Sequence, residues 1–190
     1  SPFPEYLRCP FCQVLAPVSS GLFVREGNPW RPDTFKYTHI NCQRANKPTA
    51  YPARMLVACE NGHLDDFPWS YYVHRGAPHD SVQLTFFEVG ASLETANLFI
   101  KCETCDAPDR SMVEAFNRQN PVLPSCRGRH PHLSGRYDKD CDAQLRAVLL
   151  GASNGWFPIT ESVLSIPTAE DELDYRVEQV WSVVGDLESV

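Results

Sequence analysis

The sequence lacks any segment that would place it in a membrane or mark it for export. No run approaches the roughly 18 apolar residues that a membrane-spanning helix requires. The first twenty residues also lack the basic-then-apolar order of a secretory signal peptide. The 190 residues therefore predict a cytoplasmic protein with no membrane contact. Because 43% of them are hydrophobic and 22% are charged, the chain can bury a core.

Catalytic motifs are also missing. The loop from Gly151 to Gly155 lacks the lysine and the spacing of a nucleotide-binding P-loop. The chain contains no H-E-x-x-H or zinc-deaminase motif. Cys9 and Cys12 resemble the redox pair of glutaredoxins, but Pro17 and Gly21 prevent the long helix that lowers the thiol pKa in that fold. We therefore expect a protein that is not an enzyme and has no small-molecule substrate.

An excess of positive charge is absent as well. The net charge is −7, and residues 161–190 account for it, with eight acidic residues against one arginine. The first 160 residues are neutral, whereas a free-standing nucleic-acid binder usually carries a cationic excess. A local basic group contains Arg127, Arg129, Arg136 and Lys139. These four residues are candidates for nucleic-acid contacts, and a solvated loop is the alternative interpretation.

Glycine is scarce relative to proline, at 10 residues against 16, which predicts irregular connections and no long helical bundle. Cysteine, in contrast, occurs eight times, and two of the spacings are C-x2-C. An even number of cysteines can indicate disulfides in a secreted domain, but nothing here predicts export. Zn²⁺ takes four nitrogen or sulfur ligands, and a C-x2-C turn offers two from one loop. The cysteines therefore predict structural zinc sites.

The first predicted zinc site consists of Cys9, Cys12, His39 and Cys42. Its two halves have the same spacing and are separated by candidate strands, a pattern typical of a zinc ribbon. Cys59 competes with His39 for the fourth position, because it follows an apolar run whose end can reach a metal. If Cys59 is not a ligand, we expect a buried free thiol.

The second predicted zinc site consists of Cys102, Cys105, Cys126 and Cys141. Long gaps separate the last three of these residues, which fits a structural site enclosed by loops rather than a compact finger. Residues 82–89 and 96–101 predict strands, and the second strand leads directly into Cys102. Of the other histidines, His63 and His74 are interpreted as hydrogen-bonded core residues, and His130 and His132 as solvated.

Together these elements predict an α+β fold. We expect an irregular, loop-rich module with small antiparallel sheets, a zinc-ribbon-like N-terminal part, a second, four-cysteine site and a C-terminal amphipathic helix. The predicted divisions are residues 1–53 for the zinc-ribbon-like subdomain, 54–167 for the second zinc-binding domain and 168–190 for the acidic helix. Thr168 can cap this helix, and Leu173 and Trp181 belong to its apolar stripe.

Three strings of the sequence together resemble a known family. They are L-R-C-P-F-C from Leu7, V-A-C-E-N-G-H-L-D-D-F-P-W from Val57, and the segment from G-A-S-N at Gly151 to S-I-P at Pro167. In these strings the chain resembles the DrmB-like proteins of the bacterial DISARM anti-phage system, which are helicase-associated zinc-binding proteins. The resemblance extends over about residues 5–167.

The resemblance implies a zinc domain and a partner. Residues 54–167 would be a helicase-associated zinc-binding domain, related to the one that follows the motor in MrfA-type repair helicases. The family's cysteine cluster would correspond to Cys102, Cys105, Cys126 and Cys141. The implied partner is a large DrmA-like helicase subunit that hydrolyses nucleotide and engages DNA.

From these observations we expect a non-catalytic scaffold with two structural zinc ions. It would dock on the DrmA-like helicase subunit and assist engagement of foreign DNA through that complex. Zinc contributes on the order of 10 kcal/mol of folding free energy per site in small zinc domains. Four protein ligands around each ion would leave no open position for water chemistry. The alternative hypothesis is a zinc module that binds DNA directly and on its own.

Overall fold

Short strands make up most of the regular structure. The computed structural model describes residues 2–77, 79, 83–89, 97–133, 136–151 and 173–184. The strands are β1 (Tyr6–Arg8), β2 (Val14–Pro17), β3 (Phe23–Asn28), β4 (Arg31–His39), β5 (Thr49–Pro52), β6 (Met55–Ala58), β7 (Leu64–Asp66), β8 (Leu84–Glu88), β9 (Leu98–Cys102), β10 (Arg110–Ser111), β11 (Arg129–His130), β12 (Arg136–Tyr137) and β13 (Arg146–Leu149). The α-helices are α1 (Trp69–Val73) and α2 (Leu173–Val184), and 3₁₀ helices cover Val18–Ser20 and Met112–Phe116.

The strands form one large and two small sheets within the described residues. The large sheet has eight strands in the order β10-β9-β8-β2-β1-β5-β4-β3, and the small sheets are β13-β6-β7 and β11-β12. Every pairing between these strands is antiparallel. The predicted α+β, loop-rich fold with antiparallel sheets is therefore confirmed. The main sheet is larger than the sequence suggested, because β1 pairs on both sides, with β2 and with β5.

An aromatic core lies between α1 and the large sheet. Trp69 and Tyr72 of α1 are fully buried, and the Trp69 ring centroid lies 4.6 Å from that of Phe67 and 5.5 Å from that of Phe86 in β8. A helix of five residues is too short to be stable through its own hydrogen bonds. The burial of its aromatic face therefore holds α1 in place.

A second, smaller core lies among the N-terminal strands. It contains Leu7 of β1, Phe23 of β3, Ala16, Ala50 and the first cysteine, Cys9, all of them buried. The predicted zinc-ribbon part thus has an apolar centre of its own. The strands of this part still belong to the large sheet, since β2 pairs with β8.

The chain divides into two compact units, Ser1–Trp156 and Phe157–Val190. The predicted C-terminal helix is present as α2, and the side chains of Val177, Val180 and Trp181 on its predicted apolar stripe are exposed. The predicted cap at Thr168 and most of the Gly151–Pro167 string lie outside the described residues. The divisions after residues 53 and 167 stay predictions. Among the helices of the described part, none has the length and apolar character needed to cross a membrane.

Replacing Trp69 by alanine tests the aromatic core. Trp69 is 1% exposed, so Trp69→Ala leaves a large cavity and should lower the free energy of unfolding by about 3–5 kcal/mol. Trp30, in the turn between β3 and β4, is 90% exposed and provides the matched control. Trp30→Ala should change stability by less than about 0.5 kcal/mol in urea denaturation with zinc present. Equal losses in the two variants would contradict this description of the core.

Candidate metal centres

All eight cysteines are free thiols, and they lie in three groups with four histidines. Within each group the ligand atoms all lie within 4.8 Å of one another. The N-terminal cluster is Cys9, Cys12, His39 and Cys42; the central cluster is Cys59, His63, Cys126 and Cys141; and the helix-side cluster is His74, His79, Cys102 and Cys105. These Cys/His groups can hold metal ions.

Two turns build the N-terminal cluster. Cys9 follows β1, and the turn to Cys12 is closed by hydrogen bonds from the Gln13 backbone N–H to the Cys9 carbonyl (2.9 Å) and from the Cys9 N–H to the Val14 carbonyl (3.0 Å). His39 ends β4, and Cys42 follows in the next turn. Because β1 and β4 both pair with β5, the two turns come to the same end of the sheet.

The distances in the N-terminal cluster fit a tetrahedral ion. Two sulfurs that are each about 2.3 Å from such an ion lie about 3.8 Å apart, and a sulfur and an imidazole nitrogen about 3.5 Å apart. Cys9 Sγ and Cys42 Sγ are 3.8 Å apart, and Cys12 Sγ and His39 Nδ1 are 3.4 Å apart. Although burial acts in the opposite direction, backbone N–H groups of Arg44 and Ala45 lower the pKa of Cys42, which favours the thiolate. The structure thus brings together the four residues of the first predicted site.

The central cluster combines a tight turn with two distant cysteines. Cys59 follows β6 and His63 precedes β7, and the Cys59 backbone N–H donates to the His63 carbonyl (3.1 Å). Cys126 is held next to this region because its N–H donates to the Ala143 carbonyl (2.8 Å). Cys141 Sγ lies 3.9 Å from Cys59 Sγ, and Cys59 Sγ lies 3.3 Å from His63 Nδ1. These spacings again match a tetrahedral ion with sulfur and nitrogen ligands.

Hydrogen bonds from the surrounding chain orient the central ligands. The Gly128 backbone N–H donates to Cys126 Sγ (3.2 Å), and Asn61 Nδ2 donates to Cys141 Sγ (3.3 Å). Gly128 has a φ of +71°, and a Cβ at this position would collide with the Asp138 backbone. Glycine at this position therefore allows the Asp138 segment to approach the cluster.

Asp138 fixes the ring of His63. His63 Nε2 and His130 Nε2 both donate to Asp138 Oδ2, each at 2.9 Å. These two imidazoles lower the pKa of Asp138 to about 2, and Asp138, followed by Cys59, raises the pKa of His63 to about 9. The hydrogen bond of Nε2 to the ionised carboxylate leaves Nδ1 facing the cysteine sulfurs, where a bound metal ion would take the place of the second ring proton. A carboxylate that accepts a hydrogen bond from the far nitrogen of a ligating histidine is common at protein metal sites.

The second predicted site needs a correction, because its four cysteines do not lie together. Cys102 and Cys105 belong to the helix-side cluster, whereas Cys126 and Cys141 belong to the central cluster. The physical reason lies in the packing of the strands. Cys102, at the end of β9, lies beside α1. Cys126 and Cys141 lie near β6 instead, because the Cys126 backbone is hydrogen-bonded to Ala143 in the segment that leads into β13, and β13 packs on β6.

Three residues given other roles from the sequence also lie in these clusters. Cys59, considered as a substitute for His39 or as a free thiol, lies in the central cluster together with His63. His74 lies in the helix-side cluster. The missed signal was the C-x3-H spacing of Cys59 and His63, since both residues of this short turn can face one ion. His130 is hydrogen-bonded to Asp138 rather than solvated, and His132 is exposed.

The basic group at Arg127 and Arg129 makes ion pairs within the chain. Arg129 is 11% exposed and contacts Asp65 (2.6 Å), Asp66 (2.8 Å) and Glu5 (2.6 Å). Arg127 also pairs with Asp65. These contacts anchor β11 to β7 and neutralise much of the local positive charge. The other two nucleic-acid candidates, Arg136 and Lys139, are exposed.

Comparisons with known proteins agree with the resemblance in the sequence. Residues 1–157 match a family described as a domain of unknown function, DUF8724, and the chain belongs to this family. The chain is also similar to the DISARM protein DrmB of Bacillus paralicheniformis, with 28% identity in an alignment 192 residues long that covers 98% of this chain. The predicted DrmB-like character is therefore confirmed. The chain spans 31% of the length of that relative.

Single substitutions should remove one ion each from the N-terminal and central clusters. We expect His39→Ala and Cys59→Ser each to lower the metal content by one ion per chain, since each removes one of four ligands. Elemental analysis of the purified protein measures this number. The exposed His132 gives the control, because His132→Ala should lose no metal. Unchanged metal content in Cys59→Ser would contradict the central ligand set.

Asp138→Asn tests the orientation of His63. The amide cannot hold both imidazoles as the carboxylate does, so the affinity of the central cluster for zinc should fall by about 10–100-fold. Competition with a chromophoric chelator measures this affinity, and substitution of the exposed Asp142 by asparagine serves as the control. Equal zinc affinities in the Asp138 and Asp142 variants would show that Asp138 does not position the ligand.

Proposed function

We propose that this chain is a zinc-stabilised, non-catalytic module of a DISARM anti-phage defence system. In this proposal the module docks on a DrmA-like helicase subunit in the bacterial cytoplasm and assists that complex in engaging foreign DNA. The observation that carries the proposal is the similarity to DrmB along almost the whole chain, combined with the cysteine and histidine clusters. Because the relative is about three times longer, its partners and activity are part of the proposal.

The composition of the clusters supports zinc and a structural role. The N-terminal and central clusters each offer three thiols and one imidazole, a ligand set typical of structural zinc. Zinc bound by four protein ligands cross-links the chain and has no position left for a reacting water. The free thiols fit a reducing compartment such as the cytoplasm.

Exposed apolar side chains at the N-terminal cluster support docking on another protein. Phe11 lies between Cys9 and Cys12 and is 54% exposed, and Ile40 lies between His39 and Cys42 and is 37% exposed. With an ion bound in the N-terminal cluster, the ligands on either side would hold each of these side chains in a rigid turn. Rigid apolar residues lose little conformational entropy on binding, which makes them suitable anchors at a protein interface.

The alternative of direct DNA binding has less support. Arg127 and Arg129, two of its four basic candidates, are paired with Asp65, Asp66 and Glu5. An arginine that is held by carboxylates gains less from a phosphate, since it must first give up these contacts. Arg136 and Lys139 are exposed, although Arg136 Nε lies 3.8 Å from Asp138 Oδ1.

Substitution of the two exposed apolar residues tests the docking proposal. Phe11→Ser combined with Ile40→Ser should weaken binding to a DrmA-like helicase subunit by about tenfold or more, because each removes an interface anchor. Affinity is measured between the purified protein and the purified helicase subunit. Metal content should stay unchanged in the double variant, since neither residue belongs to a cluster.

The control replaces an apolar residue of similar exposure elsewhere in the chain. Val113, in the second 3₁₀ helix, is also about half exposed, and Val113→Ser should leave the affinity for the helicase subunit unchanged. Equal affinities of all three proteins would contradict the docking surface. A loss of DNA affinity and of its salt dependence in Arg136→Ala with Lys139→Ala, in the absence of the helicase, would favour the alternative.

A further inference from the structure

The helix-side cluster joins two elements that are distant in sequence. His74 directly follows α1, and His79 lies five residues later. Cys102 is the last residue of β9, and Cys105 lies in the turn that follows. Since α1 packs against β9, the end of the helix and the end of the strand meet. Two histidines and two cysteines thus converge at one point outside the N-terminal and central clusters.

The geometry of the helix-side cluster matches that of the other two. His74 Nε2 lies 3.4 Å from Cys105 Sγ, close to the roughly 3.5 Å expected for a nitrogen and a sulfur on one tetrahedral zinc ion. The rings of His74 and His79 are stacked, with centroids 4.4 Å apart and planes 13° apart. One nitrogen of each ring lies within 4.8 Å of both cysteine sulfurs.

The hydrogen bonds of His74 select the tautomer that a metal requires. His74 Nδ1 donates to the Ser70 carbonyl, one turn earlier in the chain, at 2.7 Å. The proton of the neutral ring is therefore on Nδ1, and the Nε2 lone pair faces the cysteines. Ligating histidines commonly donate their other nitrogen to a carbonyl or carboxylate in this way.

His79 provides an independent indication of a ligand. Its Nδ1 is buried and has no hydrogen-bond partner in the described part of the chain. A buried polar atom without a partner costs free energy, and most such atoms in folded proteins are paired. An ion between the two imidazoles and the two thiols would satisfy the ring of His79.

We infer that His74, His79, Cys102 and Cys105 form a third metal site, which binds Zn²⁺ or a similar divalent ion. Two thiolates and two imidazoles are a ligand set that structural zinc sites use. The site differs from the N-terminal and central clusters, which each have three sulfurs and one nitrogen. The ion fastens the end of α1, and with it the aromatic core around Trp69, to the end of β9. The inference goes beyond the proposed function, which rests on the similarity to DrmB and needs only the N-terminal and central clusters.

Metal content and cobalt spectra of the chain test the third site. The unmodified protein should contain three ions per chain, one for each cluster. His79→Asn should lower the affinity for one equivalent of zinc at least tenfold and leave the other two equivalents unchanged. His132→Asn, at an exposed histidine, is the matched control and should retain three. With Co²⁺ in place of zinc, Cys102→Ser together with Cys105→Ser should reduce the sulfur-to-cobalt absorption by about a quarter, since two of eight thiolates are removed.

A conservative variant separates loss of the ligand from loss of the fold. His79→Cys keeps four ligands, so it should retain three ions and increase the sulfur-to-cobalt absorption, even if His79→Asn does not fold. Two ions per chain in the unmodified protein, or unchanged zinc affinity in His79→Asn, would overturn the third site and leave the proposed function intact. A disulfide between Cys102 and Cys105, detected by mass spectrometry after alkylation, would also overturn it. If instead the unmodified protein lacks the ion of the N-terminal or the central cluster, that result would contradict the proposed function.

Discussion

The structure depends on thiols and imidazoles that converge from segments far apart in the chain. Cys59 and Cys141 are 82 residues apart in sequence, yet their sulfurs are 3.9 Å apart. Closing such long loops costs conformational entropy, and strands of two to nine residues, most of them five or fewer, provide few hydrogen bonds to offset it. Ions that cross-link these segments would contribute on the order of 10 kcal/mol each. Under the proposed function, ions in these clusters would maintain the shape of the protein, and the chemistry of DNA processing would belong to a partner.

Around the central cluster, charged side chains connect segments of the chain to one another. Asp138 accepts hydrogen bonds from His63 and His130, and Arg129 of β11 pairs with Asp65 and Asp66 of β7. These groups connect β11 and the segment after β12 to β7 and to the turn that carries Cys59. Four basic residues suggested a nucleic-acid surface in the sequence. Two of them, Arg127 and Arg129, instead form ion pairs with β7 that stabilise the fold.

Ligands that are close in the sequence can be assigned to one turn before the fold is known. Ligands that are distant in the sequence can be grouped only once the packing of the chain is known. The two turns of the N-terminal cluster were predictable, because a C-x2-C and an H-x2-C turn at neighbouring strand ends converge in a ribbon. Strands β8 and β9 were predictable from their apolar pattern. The grouping of Cys102, Cys105, Cys126 and Cys141 was not predictable, since it depends on the packing of α1 on β9 and on the contact of Cys126 with Ala143. His63 and His74 are hydrogen-bonded, as predicted, but their places in the clusters were not predicted. The cysteines near His74 are distant in sequence, whereas His63 lies in the same short turn as Cys59.

Equilibrium unfolding of the purified chain, measured before and after exhaustive chelation, tests the central claim most directly. If metal ligation holds the loops together, the chelated chain should lose its cooperative transition, and stoichiometric zinc should restore it. A chelated chain that unfolds with an unchanged midpoint and slope would contradict the account. The strands and the aromatic core would then be sufficient to maintain the fold without metal.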